Sequence, residues 1–161
     1  TGLSNRRGFD CAFENAINSS RRNRRSLAVL LLDLDDFKKI NDTLGHLFGD
    51  KILNKLGEII KSIIRETDLA ARYGGEEFSI VMSNTGFEEA ADIAERLRKA
   101  INQCNFDVTK RPTTVSIGIA LYPLDSTSLQ DLLSNADRAL YRAKHEGKNR
   151  VCVYSNPIMP N

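Results

Sequence analysis

Six consecutive apolar residues, Leu27 to Leu32, run straight into Asp33-Leu34-Asp35-Asp36. An apolar run this short, closed by a carboxylate, reads as a buried central strand, which needs partners on both edges and cover on both faces. No longer apolar stretch exists, and a membrane-spanning helix needs about 20 residues. The rest of the 161-residue chain can supply the cover: 41% of it is hydrophobic and 27% charged, enough for one domain with a substantial core. Its 23 basic and 21 acidic residues nearly cancel, to +2, so no general electrostatic pull towards nucleic acid is expected. Arg6 and Arg7 are followed by no apolar stretch of the kind a secretory leader carries. Cys11, Cys104 and Cys152 are odd in number and lack metal-ligand spacing. Reduced thiols in a cytoplasmic domain, without direct membrane contact, are the expectation.

The elements around the central strand alternate. Phe9, Phe13, Ala16 and Ile17 predict a helix over about 5–20, ending in the arginines at 21, 22, 24 and 25, which read as a solvated helix end. Phe37, Ile40 and Leu44 predict a short helix, and Ile52, Leu56, Ile59, Ile60 and Ile63 a longer one from about Gly49 to Arg65. Leu69 to Tyr73 and Phe78 to Ser83 are strands joined by Gly74-Gly75-Glu76-Glu77, where paired glycines are expected to supply positive φ in a hairpin turn. A helix through Ala90, Ala94, Leu97 and Ile101 leads to a strand over Thr113 to Leu121, interrupted by Gly118. Ser128 and Asp131 form a capping box for a last helix stopped by Gly147, before a strand over Val151 to Tyr154. The predicted fold is therefore α/β (α+β): a mixed central sheet of about five strands with helices packed on its faces. One domain is expected over 1–155, with a loose tail over 156–161 and an opening at Thr1 that looks cut from a longer protein.

Two acidic clusters carry the chemistry. Three aspartates within four residues at a strand end repel one another and call for a compensating cation. If the two strands are neighbours, Asp33 and the Glu76-Glu77 turn meet at one end of the sheet, a donor set suited to a hard octahedral ion such as Mg²⁺. Each cluster alone also fits a plainer account, an N-cap for the aspartates and a simple turn for the glutamates. Lys38, Arg72, Lys144 and Lys148 are cations able to hold a triphosphate, and the helix that opens after Asp33 offers free N–H groups. From residues alone the reading stops at a metal-dependent nucleotide or phosphoryl-transfer site.

Arg72-Tyr73-Gly74-Gly75-Glu76-Glu77-Phe78 resembles the signature of the GGDEF family of diguanylate cyclases, in its Gly-Gly-Glu-Glu-Phe form. Four more blocks match in order: residues 1–7, Asp33 to Asp42 with Gly45-His46 and Gly49-Asp50, Ser116 to Ala120, and Ala136 to Lys144. The resemblance implies a fold similar to the polymerase palm and to class III nucleotide cyclases, with the signature on a β-hairpin turn. It implies a nucleotidyltransferase that condenses two GTP into cyclic di-GMP, releasing two pyrophosphates, across a homodimer governed by an upstream regulatory domain.

Residue by residue, the resemblance assigns Asp33, the Leu34 carbonyl, Glu76 and Glu77 to Mg²⁺, with Mn²⁺ as an alternative, and Glu77, Arg72 and Lys38 to catalysis. Glu77 would lie beside the reacting 3′-hydroxyl, as a metal contact or as proton acceptor. Asn41 and Asp50 would read guanine, and retention of Asp50 argues for GTP over ATP. Lys38, Lys144, Lys148 and the backbone near Asp36 and Phe37 would grip phosphates; Lys148 stands where relatives often carry Arg and gives up a bidentate fork. Arg65-Glu66-Thr67-Asp68 matches an inhibitory Arg-x-x-Asp motif for the product, with Arg96 as a second arginine, although an Arg and an Asp three apart also suit a surface ion pair. Asp35 and Asp36 are expected to face away from the metal, His46 to make a turn contact, Asp42 to lie on the surface, and Asp137 and Tyr141 to support the fold. The rival reading is a catalytically silent module that binds GTP or cyclic di-GMP.

Overall fold

Every residue of the first strand, β1 (Leu27–Leu34), is buried except the half-buried Leu31. Strands on both sides account for this. In the computed structural model, which describes residues 2–104, 106 and 112–155, the elements follow in the predicted order. They are α1 (Arg6–Asn23), β1, α2 (Phe37–Leu44), α3 (His46–Ile63), β2 (Leu69–Arg72), β3 (Glu77–Ser83), α4 (Phe87–Gln103), β4 (Val115–Tyr122), α5 (Leu129–His145) and β5 (Val151–Val153). The sheet order is β2-β3-β1-β4-β5. β1 runs antiparallel to both β3 and β4, while β4 and β5 are parallel. The mixed five-stranded sheet matches the expectation, and the predicted tail over 156–161 lies outside the described residues.

Alternation along β1 divides the core. Ala28, Leu30, Leu32 and Leu34 pack with Ile52, Leu56 and Ile60 of α3 and Ala94 and Leu97 of α4. Leu27 and Val29 face Phe9, Phe13 and Ile17 of α1 and Leu132 and Ala136 of α5. Gly118 does not interrupt β4. A Cβ there would collide with the Ala136 carbonyl and the Leu140 amide, so the missing side chain lets α5 lie directly on the strand. At its N-terminus, the Ser128 hydroxyl accepts from the Asp131 amide at 3.2 Å, as the capping box predicts. At the other end, the Lys148 amide donates to the Ala143 carbonyl at 3.0 Å beside Gly147 at φ +118°, a Schellman-type stop.

Two local expectations need correction. α3 begins at His46, not Gly49, because Gly45 at φ +85° joins α2 to α3 by itself; His46 is thus the first residue of a helix rather than part of a loop. Gly74 and Gly75 are not in the positive-φ region, which among the glycines holds only Gly2, Gly45 and Gly147. What Gly74 provides is room: a Cβ there would lie 2.5 Å from Oε2 of Glu77. The N-terminal segment is bound to the same hairpin. The Ser4 amide donates to the Ala70 carbonyl at 3.2 Å, and the Arg6 guanidinium sits 4.5 Å from the Tyr73 ring centroid.

Candidate functional site

The register of β1 against β3 pairs Asp33 with Glu77, so the two acidic clusters meet at one end of the sheet. The Leu34 amide reaches the Glu76 carbonyl at 3.4 Å across the same junction. Beside it opens a cavity of about 260 Å³ lined by Asp33 to Lys38, Glu76, Lys144 and Lys148. Lys144, delivered from α5, donates to Oδ2 of Asp33 at 2.7 Å. The Asp33 side chain is only 8% exposed, and burial pushes its carboxyl above the ordinary range. The Lys144 hydrogen bond and charge offset this in part, and Glu76 and Glu77 add to the rise.

Asp35 and Asp36 take different partners. Asp35 is buried and accepts from the Thr114 hydroxyl at 2.8 Å, the Ser116 hydroxyl at 2.7 Å and the Asn149 amide at 3.0 Å. These bonds occupy both of its carboxylate oxygens, although Asp35 also borders the cavity. Asp36 does not turn away: its carboxylate stands at the cavity mouth and accepts from Lys39 and Lys148, each at 2.9 Å. Those two bonds hold it below the usual carboxylate range. Asp36 also answers the N-cap account, because it is the residue before α2 but sits at φ +56° with no side-chain capping bond. The aspartates at this strand end are there for cations and for a buried network, not for a helix start.

The turn residues stand slightly apart. Glu77 is exposed and lines a second cavity, on the α5 side of the hairpin, with Ser79 and Leu133. Arg72 does not reach the first cavity; its Nε donates to the carbonyls of Gly74 at 3.2 Å and Gly75 at 3.0 Å and so braces the turn. Asn41 of α2 lies against Gly49 of α3, the residue before Asp50. The Asn41 Oδ1 is buried without a hydrogen-bond partner, pressed against Gly49, where any Cβ would overlap it. Asp42 is exposed, as expected.

Arg65 and Asp68 border a separate cavity of about 360 Å³. They are not a surface ion pair. Asp68 accepts from the Arg65 backbone amide at 3.0 Å, while the Arg65 guanidinium pairs with Glu89 of α4. Burial pushes the Asp68 carboxyl up, and its Oδ1 has no partner. Arg96 pairs with Asp92 at 4.0 Å and does not line this cavity. Asp137 and Tyr141 are outside the core: Tyr141 is 63% exposed and stacks on His145, with ring centroids 3.8 Å apart.

Among the described residues no three His, Cys, Asp or Glu side chains are gathered closely enough to hold a metal ion. The donor types nevertheless fit a hard cation. Asp33, Leu34 and Glu76 border one cavity with two carboxylates and a carbonyl on offer, and the Asp33 carboxylate already accepts a hydrogen bond from the Lys144 ammonium. Sequence reasoning missed the partners of Asp35, which come from β4 and from the turn after α5 and leave no local spacing to read.

The arrangement has known counterparts. Residues 1–150 match the family model "Diguanylate cyclase, GGDEF domain". Diguanylate cyclase A of Treponema denticola is 44% identical over 144 residues, 88% of this chain and 39% of that protein. The active GGEEF domain of a diguanylate cyclase from Vibrio cholerae superposes with a TM-score of 0.91 at 34% identity, covering 96% of this chain and 99% of that one. The GGDEF domain of DgcB from Caulobacter crescentus, in complex with c-di-GMP, superposes at 0.88 with 31% identity, over 97% and 91% of the two chains. This chain spans 39%, 24% and 20% of the length of the first three curated relatives it matches. No described helix is long and apolar enough to cross a membrane. With the signature on its hairpin, the acidic strand end beside it and the family match over both, the chain belongs to the GGDEF domain family.

Proposed function

We propose that this domain is a diguanylate cyclase that joins two GTP molecules into cyclic di-GMP and releases two pyrophosphates. The observation that carries the reading is the single cavity at the end of β1, where Asp33, Leu34 and Glu76 face Lys38, Lys144 and Lys148. Asp33, the Leu34 carbonyl, Glu76 and Glu77 would hold Mg²⁺, with Mn²⁺ as an alternative. A bound ion would lower the pKa of the attacking hydroxyl and stabilise charge on the transferred and leaving phosphates. Lys144 and Lys148 would exchange their carboxylate partners Asp33 and Asp36 for phosphate oxygens, and those partners hold both lysines at the cavity beforehand. The start of α2, free of side-chain capping, offers its N–H groups to the same phosphates.

Asn41 and Asp50 supply the amide and carboxylate that suit guanine, and Glu77 stands at the turn for the 3′-hydroxyl. Arg72 holds that turn in shape. Because one domain carries one such cavity, bond formation requires two copies face to face, under a regulatory region elsewhere in the full protein. The product would also bind at the Arg65–Asp68 turn, where the exposed Arg65 guanidinium, paired with Glu89, borders the cavity and could turn to guanine.

Incubation of the purified domain with GTP and Mg²⁺ tests the reading, with cyclic di-GMP measured across protein concentrations. Activity should rise faster than linearly, and Asp33→Ala or Glu77→Ala should lower it at least 100-fold, about 3 kcal/mol of transition-state stabilisation. A concentrated sample that binds GTP and yields no product would leave a nucleotide-binding module instead.

A further inference from the structure

We infer that Arg98 and Asn149, neither of which lines the cavity, are positioning residues that fix the triphosphate side of the site. The inference rests on the cyclase reading for its substrate, GTP. Lys148 and Asn149, in the turn between α5 and β5, both occupy the left-handed region, at φ +61° and +46°. Two consecutive non-glycine residues there, Lys148 above all, are disfavoured, so the turn gains from outside support. It receives that support on both sides. The Asn149 amide donates to Oδ2 of Asp35 at 3.0 Å. Its side-chain Oδ1 accepts from Nη1 of Arg98 at 2.7 Å, and the same nitrogen reaches the Asn149 carbonyl at 3.5 Å.

Arg98 is itself fixed. Its Nε and Nη2 form a two-pronged pair with Glu95, at 2.9 and 2.7 Å, and its side chain is only 17% exposed. A planar fork locked on one carboxylate presents Nη1 in one direction, which an ammonium cannot reproduce. The chain of bonds therefore runs from Glu95 through Arg98 and Asn149 to Asp35, and on to Ser116 and Thr114 of the β4 region. Its two ends bracket the phosphate rim. Asp35 sits between Leu34 and Asp36 on the β1–α2 loop, and Asn149 directly follows Lys148. The network sets the gap between that loop and the Lys148 ammonium, so it governs how a triphosphate is gripped and not how the hydroxyl reacts.

Steady-state kinetics and calorimetry on Arg98→Ala, Asn149→Ala and the double variant test this. Arg98→Ala should raise KM for GTP about tenfold and leave kcat within twofold. Arg98→Lys should fall between Arg98→Ala and the parent. The double variant should weaken GTP less than twofold beyond Asn149→Ala alone, because both single changes break one unit. Multiplicative effects, or a kcat loss at unchanged KM, overturn the inference. So does a KM rise that merely tracks a fall in Tm across the variants. If the parent binds GTP without turnover, a tenfold weaker calorimetric affinity for Arg98→Ala upholds the positioning role while the cyclase reading fails. If the parent does not bind GTP, both fall.

Discussion

At the end of β1, Asp35 accepts three hydrogen bonds from two hydroxyls and an amide, and a bidentate Arg98–Glu95 pair stands behind one of them. Directly across the register, the turn over 74–77 is held by two backbone bonds to the Glu77 carbonyl, a longer one from the Leu34 amide to the Glu76 carbonyl, and Arg72. The β1–α2 loop is thus anchored by a buried carboxylate network, and the turn that carries Glu77 by backbone bonds and one arginine nearer the surface. The contrast fits the division of labour proposed above. On that proposal, phosphates would need a fixed frame of charges, whereas Glu77 would have to meet a nucleotide presented by a second copy.

The comparison breaks most readily at Asp35. Asp35→Ala strands the Ser116 hydroxyl and the Asn149 amide in the interior, and should cost about 3 kcal/mol, read as a fall in Tm of about 8 °C. An unchanged Tm would mean that the loop is not anchored there. Gly74→Ala probes the other side, since its Cβ would come within 2.5 Å of the Glu77 carboxylate. Turnover should fall about tenfold, about 1.4 kcal/mol, as Glu77 is pushed aside, with Tm within about 2 °C of the parent. A large loss of Tm would show that the turn is as firmly built as the loop.

The smallest effect concerns pH. Because burial raises the Asp33 carboxyl, its contribution to stability is fully present below the unfolded value, ~3.9, and is lost as pH rises through the higher folded value. Asp33→Asn should therefore raise Tm by about 1–2 °C at neutral pH, flatten the stability profile between the unfolded and the folded value, and abolish turnover. Asp36 has the opposite sign: its lowered carboxyl adds stability above the ordinary value and loses it as pH falls through the folded one. On an exposed side chain that contribution is slight.

Much of this was legible in the chain. The apolar run into Asp33 fixes a central strand, and the Gly74-Gly75 pair marks a hairpin, so the meeting of two acidic clusters follows from strand adjacency. Spacing also placed the cap at Ser128 and the stop at Gly147. What spacing could not show was partnership at long range. Asp35 finds Thr114, Ser116 and Asn149 at separations of 79, 81 and 114 residues, and Arg98 finds Asn149 at 51. Nor did residue type reveal that Gly74 is needed for room and Gly118 for helix contact, because a glycine signals freedom without saying which kind. At Arg65 and Asp68 the plainer alternative of one ion pair does not hold: the loop geometry gives the carboxylate to a backbone amide and the guanidinium to Glu89.

The bond from Ser4 to Ala70 has a consequence for solubility. β2 is the last strand on its side of the sheet, and its outer backbone would otherwise present open hydrogen-bonding groups to any passing chain. Ser4 covers part of that rim, so removing it would leave more of an open strand border next to the signature and favour self-association unrelated to catalysis.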